Sequence, residues 1–257
     1  MRFLVPLAAL LSLLSQSSTQ QAAPEVERDP QAVAVLQASV RAMGGTVPSD
    51  SIATGSITIV AGSQTSAGTI RILTRGTNQS SEQITLPQST YSVTYSGGLA
   101  GESINSATAS IPIERTVTSQ SVCFPLPFLA AALANPDESI QNIALETLGQ
   151  QSLQHLRIQN TFASHPVFQQ FADFATFDVW LNANTGLPER ISFVRRNGSG
   201  ATPGIPLDAY FSAYKTTSGV AYPTQINLSL NGTPWTTITI SSVAFNTGLT
   251  DSSFSVQ

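Results

Sequence analysis

The chain has 257 residues, of which 10% are charged and 41% are hydrophobic, and its formal net charge at pH 7 is −4. Ordinary domains carry about 25% charged residues, so most of this surface must consist of Ser, Thr, Asn and Gln. The few Lys and Arg residues form no basic patch that could follow a phosphate backbone, so nucleic acid is not an expected partner. The single cysteine, Cys123, excludes an intramolecular disulfide and a cysteine-based zinc cluster, and we interpret it as a small buried apolar side chain.

The N-terminal residues have the plan of a secretory signal peptide. Arg2 precedes an apolar run from Phe3 to Leu14, and small polar residues follow. The run is short for a membrane span and contains Pro6. The cysteine that carries the lipid of a bacterial lipoprotein is missing from this region. We therefore expect a signal peptide at residues 1–22, a single domain at residues 23–257, and a periplasmic or secreted location.

The first predicted element of the domain is a helix that runs from Asp29 to Gly45. Asp29 is a suitable N-cap, Pro30 suits the first helical position, and two glycines end the helix. Apolar residues recur at helical spacing, namely Val33, Leu36, Val40 and Met43. A single apolar stripe predicts that one face of the helix lies on the concave side of a sheet.

From Ser51 onward the hydrophobic period changes to two, which predicts antiparallel hairpins. The predicted strands are Ile52–Val60, Gly68–Arg75, Gln79–Leu86, Thr90–Tyr95, Ile143–Leu148, Phe177–Leu181, Glu189–Arg195 and Asp208–Lys215, and the sequence predicts a hairpin around Gly149-Gln150 that adds a strand after Ile143–Leu148. Gly97, Gly98 and Gly101 predict a loop after the fourth of these strands.

The segment from Ile111 to Asn135 interrupts the strand pattern. A helix can begin with Pro127 in its first turn, although proline cannot sit further inside one. Its apolar stripe would consist of Phe128, Leu129, Ala132 and Leu133. Two interpretations remain open: an ordinary core helix, or a helix that plugs an open barrel and moves aside for a ligand.

The C-terminal residues, 221–256, predict a curved hairpin with one apolar face. Polar residues alternate with the apolar residues of its two strands, Ile226, Leu228, Leu230, Ile238 and Ile240. Asn231-Gly232 tolerates positive φ, and Thr233-Pro234 is expected to widen the turn beyond two residues. After Ser241 the apolar parity slips by one residue, which predicts a β-bulge, and bulges curl sheets.

This C-terminal sequence resembles the last strands of the lipoprotein-carrier superfamily, the periplasmic LolA, LolB and LppX-like proteins. Such chains often close with a valine-rich strand, an Asn-x-x-Leu turn, an acidic residue and a buried Phe. The matching positions are Val243, Asn246, Leu249, Asp251 and Phe254. The hairpin VWLNANTGLPERISF also resembles these proteins, although Asn182 stands where Asp is more usual. The resemblance, which spans roughly Asp29 to Val256, implies an α+β fold: a curved antiparallel β-sheet, or open half-barrel, covered on its concave face by a few helices.

The sequence contains no convincing catalytic or metal site. The only histidines, His155 and His165, lie outside any nucleophile elbow. Glu146 and Glu189 are on separate predicted hairpins, and nothing in the sequence indicates that they face each other as a catalytic carboxylate pair. The one set worth testing as metal ligands is His155, His165, Asp173 and Asp178, for which scattered surface polar groups are the simpler interpretation. We expect no catalytic residue, no cofactor, no metal and no enzymatic activity.

Two hypotheses of function remain, both for a monomer. In the first, the half-barrel holds a lipid or the acyl chain of a lipoprotein in an apolar cavity and contacts membranes peripherally. In the second, the same fold is a periplasmic protein-interaction or sensor module without lipid transport. Truncating Phe128 and Leu129 would separate them, because lipid uptake would fall only in the first case.

The first hypothesis nominates six ligand-binding residues: Leu36, Val40, Arg71, Phe128, Leu129 and Leu133. An acyl chain can be held without charged residues, because each buried methylene is worth about 0.8 kcal/mol. Arg71 is included because the resemblance implies an inner-face Arg. A packed barrel would show the same alternation of residues as one with a cavity, so the pattern alone leaves this point open.

Overall fold

The computed structural model describes residues 25–112, 116, 122–195 and 204–256. Within these residues the chain forms one antiparallel sheet of 13 strands, two α-helices and two short 3-10 helices. The predicted signal peptide lies outside the described residues.

The strands are β1 (Asp50–Ala61), β2 (Gln64–Arg75), β3 (Gln79–Leu86), β4 (Ser89–Ser96), β5 (Leu99–Ile104), β6 (Ala107–Ser110), β7 (Glu138–Leu148), β8 (Gln151–Asn160), β9 (Thr176–Asn182), β10 (Pro188–Arg195), β11 (Ile205–Thr217), β12 (Val220–Leu230) and β13 (Thr233–Phe245). Their order in space is β6-β5-β4-β3-β2-β1-β13-β12-β11-β10-β9-β8-β7. The first and last strands of the chain therefore meet at the centre, and β6 and β7 are the two edges. This is the open half-barrel expected from the sequence.

The predicted bulge in the last strand is confirmed. Thr54 of β1 pairs with Ser242 and Gly55 pairs with Ile240, so Ser241 is the extra residue on β13. A Cβ on Gly55 would lie 2.1 Å from the carbonyl oxygen of Thr239, which explains why glycine is needed beside the bulge.

The predicted widening of the β12–β13 turn is wrong. Leu230 pairs directly with Thr233, and the turn consists of Asn231 and Gly232 alone, with φ values of 48° and 75°. This is the positive-φ pair that a two-residue hairpin requires. The register shifts instead inside the strands, after Leu228.

The first helix, α1 (Pro30–Ala42), is formed as predicted. The Asp29 side chain accepts hydrogen bonds from the backbone N–H groups of Gln31 and Ala32, at 2.7 and 3.4 Å. Its apolar stripe packs into the main core on the concave face, and Leu36 and Met43 are fully buried.

The second helix, α2 (Pro125–Ala134), has Pro127 in its first turn, as expected. Both prolines lie in its first turn, where a missing N–H costs nothing. The helix ends at Asn135, as expected. A 3-10 helix, Pro166–Phe174, follows β8.

Two strands were not predicted from the sequence. Gly97 and Gly98 form a turn, but Gly101 lies within β5 and pairs with Thr94. The strand β6 has the sequence ATAS and is exposed throughout. Because it is only four residues long and contains no large apolar side chain, its sequence carries no alternation strong enough to identify it.

Candidate ligand-binding site

The concave face of the sheet contains two adjacent cavities. The larger has a volume of about 780 Å³ and the smaller one of about 520 Å³. Both volumes fall within the range of about 300–1,000 Å³ that is typical of small-molecule sites. Tyr95, Val122 and Phe193 line both cavities, so these side chains mark the place where the two meet.

The larger cavity lies between α2, the 3-10 helix Pro166–Phe174 and the ends of several strands. Its aromatic lining consists mainly of phenylalanines: Phe124, Phe128, Phe162, Phe168, Phe174, Phe177 and Phe193. Phe128 of α2 packs against Phe177 of β9, with ring centroids 4.5 Å apart. Polar groups at the same cavity include Asn135, Glu138 and Asn160.

The smaller cavity is lined by the inner faces of β1–β5 and β10–β13. Its apolar residues include Ile57, Ile59, Ile70, Ile84, Leu86, Tyr91, Val93, Leu228 and Trp235. Three charged residues, Glu82, Glu102 and Arg195, line it as well, and the Arg195 guanidinium lies 5.9 Å from the centre of the Trp235 ring. Alternate residues of a strand point to the same face, so the apolar alternation in the sequence already indicated which residues face inward. Inward-facing strand residues could therefore have been predicted as ligand contacts from the sequence.

Of the nominated residues, Phe128 lines the larger cavity and is half-buried. Leu36, Val40 and Leu129 belong to the main core, and Leu133 packs against it. Leu36, Val40, Leu129 and Leu133 therefore hold α1 and α2 against the sheet, which is a structural role consistent with their burial.

Arg71, expected on the inner face, lies on the outer face of β2. Its neighbours Ile70 and Ile72 both belong to the main core, and successive residues of a strand point to opposite faces. The Arg71 guanidinium donates a hydrogen bond to the side chain of Gln83 on β3, at 3.3 Å.

Glu138 is a residue that the sequence analysis missed, and its carboxyl group is unusual. The residue lines the larger cavity, yet it is only 8% exposed. Oε1 accepts a long hydrogen bond from Asn135 Nδ2, at 3.5 Å, whereas Oε2 is buried without a hydrogen-bond partner among the described residues. Burial raises the pKa of Glu138 to about 8, although the Asn135 bond and the charge of Arg28 act in the opposite direction. The carboxyl group is therefore mainly neutral at pH 7.

Arg28 fixes the backbone around Glu138. Its guanidinium donates to the carbonyl oxygens of Leu133 and Asn135, each at 2.8 Å, and to that of Glu138 at 3.2 Å. These bonds satisfy carbonyl groups at the C-terminus of α2 and join the helix to the start of β7.

The four residues considered as metal ligands do not come together. His155 contacts Asp178, with 3.0 Å between Nε2 and Oδ1, whereas His165 contacts Asp137 elsewhere. Among the residues that the structure describes, no three His, Cys, Asp or Glu side chains are placed to hold a metal ion. Cys123 is buried, as predicted, and burial raises the pKa of its thiol.

Solved structures share this arrangement of sheet and helices. A LolA superfamily protein from Nitrosomonas europaea superposes with a TM-score of 0.59 at 14% identity, covering 87% of this chain and 97% of that chain. A domain described as an outer membrane lipoprotein-sorting protein, from Vibrio parahaemolyticus, gives 0.58 at 14% identity, with 86% and 95% covered. A DUF1329 family protein from Desulfovibrio piger gives 0.55 at 14% identity, with 86% and 96% covered. The fold is LolA-like.

No protein-family model and no curated protein sequence matches the chain. In this LolA-like half-barrel both cavities lie on the concave side of the sheet. Across the described ranges, no helix combines the length and apolar character needed to cross a bilayer.

Proposed function

We propose that the protein binds a hydrophobic ligand, a lipid or the acyl chain of a lipoprotein, in the two cavities of its half-barrel. The observation that carries this proposal is the pair of adjoining cavities with mainly aliphatic and phenylalanine linings. Polar ligands would leave such a surface poorly matched, whereas an acyl chain would gain about 0.8 kcal/mol for each methylene it buries.

The size of the site supports this ligand class. Burying ten methylenes would contribute about 8 kcal/mol, which is comparable with the cost of about 4–15 kcal/mol for restricting a ligand. The Vibrio protein with the same fold is described as a lipoprotein-sorting domain, which favours an acyl chain. Binding of this kind requires no catalytic residue and no cofactor.

We also propose that residues 1–22 are removed as a signal peptide and that the protein acts outside the cytoplasm. N-terminal sequencing of the protein recovered from the exported fraction of a secreting host tests this. Recovery of the chain only from the cytoplasm, with its N-terminal segment intact, would contradict it.

The decisive experiment is native mass spectrometry of protein purified without detergent, followed by extraction of bound lipid. We expect a stoichiometric lipid or acylated peptide. An Ile84→Trp variant fills part of the smaller cavity and should lower the bound fraction at least severalfold. Thr85→Trp is the matched control, because Thr85 is exposed on the opposite face of the same strand.

An empty protein that also fails to bind a fluorescent fatty-acid probe would contradict lipid binding. Equal loss in the Ile84→Trp and Thr85→Trp variants would show that the cavity is not the binding site. In either case the alternative, a periplasmic protein-interaction or sensor module, would become the better hypothesis.

A further inference from the structure

Among the described residues that line the larger cavity, the carboxyl group of Glu138 is the buried polar group with unused hydrogen-bonding capacity. Glu138 and Ile140 alternate with Ser139 along β7, and Ile140 belongs to the main core, so the Glu138 side chain lies on the concave face. Its Oε2 atom is buried without a partner among the described residues. A buried polar atom in this state costs about 1–3 kcal/mol, and such groups in native proteins call for a specific explanation.

The backbone of Glu138 is held firmly at this position. Its N–H donates to the carbonyl oxygen of Asn135 at 3.2 Å, and its own carbonyl oxygen accepts from Arg28. The residue also pairs with Asn160 of β8. A group positioned in this way is preorganised, so a ligand that completed its hydrogen bonding would pay little ordering cost.

We propose that Glu138 is a polar contact for the ligand in the larger cavity and that its carboxyl group donates a hydrogen bond to the carbonyl oxygen of an ester- or amide-linked acyl chain. This inference rests on the proposed function, because it names the chemistry of the ligand in the same site. Phe128, Phe174 and Phe177 would surround the hydrocarbon next to that carbonyl.

The charges around Glu138 favour a neutral carbonyl over an ionised head group. Burial keeps the Glu138 carboxyl mainly protonated at pH 7, so it is a donor. The adjacent Asp137 is ionised, because hydrogen bonds from Ser164 and His165 lower its pKa against the opposing effect of burial, and it would repel an anion. Arg28 is already committed to three backbone carbonyl oxygens. A cationic head would need an ionised Glu138, which burial disfavours.

The test uses the intrinsically fluorescent lipid parinaric acid and its methyl ester, titrated into the full exported protein at pH 6.5 and pH 9.5. We expect the native protein to bind the ester about tenfold more tightly at pH 6.5, where Glu138 is a donor. A Glu138→Gln variant should bind the ester equally at both pH values, because its amide donates throughout. A Glu138→Leu variant should bind the ester about tenfold more weakly at pH 6.5 and show no pH dependence.

The outcomes separate this inference from the proposed function. Ester binding that is the same at both pH values and in all three proteins would overturn the role of Glu138 and leave lipid binding intact. Tighter binding of the free acid, strengthened at pH 9.5, would overturn it in favour of an anion site. A native protein that binds neither probe would contradict the proposed function itself and this inference with it. If Glu138→Leu fails to fold, the comparison of the native protein with Glu138→Gln still decides.

Discussion

Asp137 and Glu138 are neighbours in the chain, yet their carboxyl groups are in opposite protonation states at neutral pH. Ser164 donates its backbone N–H and its hydroxyl group to Asp137, and these bonds stabilise the anion. Among the described residues, the Glu138 carboxyl group has one long hydrogen bond, at Oε1, in a cavity lined largely by phenylalanines. Local hydrogen bonding and burial therefore decide the charge of each residue, and the sequence gives no sign of this difference.

Glu138 makes a first prediction, about stability and pH. Its folded-state pKa of about 8 lies above its value of 4.5 in the unfolded chain. Between these values the folded state holds a proton that the unfolded state lacks, so raising the pH lowers the free energy of unfolding. The free energy of unfolding of Glu138→Gln, taken relative to that of the native protein, should therefore increase by about 4 kcal/mol between pH 4.5 and pH 8.5.

Urea denaturation across this pH range measures the difference. Glu25→Gln is a suitable control, because Glu25 is exposed and its substitution should change the free energy of unfolding little. A pH-independent difference for Glu138→Gln would mean that the carboxyl group is ionised in the folded protein.

Asp50 makes a second prediction, about the C-terminal segment. Oδ1 accepts from the N–H and hydroxyl groups of Thr247, at 2.6 and 2.7 Å, and Oδ2 accepts from the N–H groups of Gly248 and Leu249. Burial acts to raise the pKa of Asp50, but these bonds lower it overall. Asp50→Ala should destabilise the fold by about 3 kcal/mol, because several backbone donors lose a charged acceptor.

Denaturation at pH 7 measures this loss, and Asp173→Ala is the control, because Asp173 is exposed and its removal should cost little. Since the folded-state pKa of Asp50 is lowered, its contribution is present above pH 4 and is lost as the pH falls through the folded-state pKa. Equal stability of the two variants would contradict the role of Asp50.

At the scale of elements, two adjacent apolar residues of α2 have different structural roles, although the sequence pattern placed both in the same apolar stripe. Leu129 is fully buried in the main core, whereas its neighbour Phe128 lines the larger cavity. We predict that Leu129→Ala lowers the free energy of unfolding by about 2–5 kcal/mol. Compared with Leu129→Ala, Phe128→Ala should lower the free energy of unfolding less and should lower the bound fraction of lipid more.

Thermal unfolding and native mass spectrometry of the two variants make the comparison. A double truncation of Phe128 and Leu129 would confuse loss of folding with loss of binding, so the single variants are needed. The prediction fails if Phe128→Ala unfolds more readily than Leu129→Ala while retaining all of its lipid.

The elements that could be predicted from the sequence are those with local signals. The cap at Asp29, the stripe of α1 and the parity slip at Ser241 each lie within a few residues of the feature they specify. In contrast, β6 exists because it pairs with β5, and the backbone of Glu138 is held by a hydrogen bond from Arg28, which is 110 residues away. The apolar alternation of the strands also identified the inner face of the sheet, but it did not show where cavities remain on that face. The position of a cavity depends on how residues far apart in the sequence, such as Ile84 and Trp235, pack against each other.

At the scale of the whole molecule, the two halves of the sheet are packed differently. The main core includes residues of β7–β13, β1 and β2 together with both α-helices. On β4 and β5, Val93 and Ala100 belong to a separate small cluster with Ile111. Strands with less packing beneath them open more readily than strands in the main core.

Hydrogen exchange of the full chain should therefore reveal two levels of protection. Without ligand, amides of β4 and β5 should exchange faster than those of β8, β11 and β12. Adding the lipid identified by extraction should slow exchange in β3–β5 most, because Ile84, Tyr91 and Val93 line the smaller cavity. The Ile84→Trp variant should lose this protection, and Thr85→Trp should keep it. Equal protection of both halves before lipid is added, or lipid-induced protection confined to β8–β12, would mean that the ligand does not lie against the N-terminal half of the sheet.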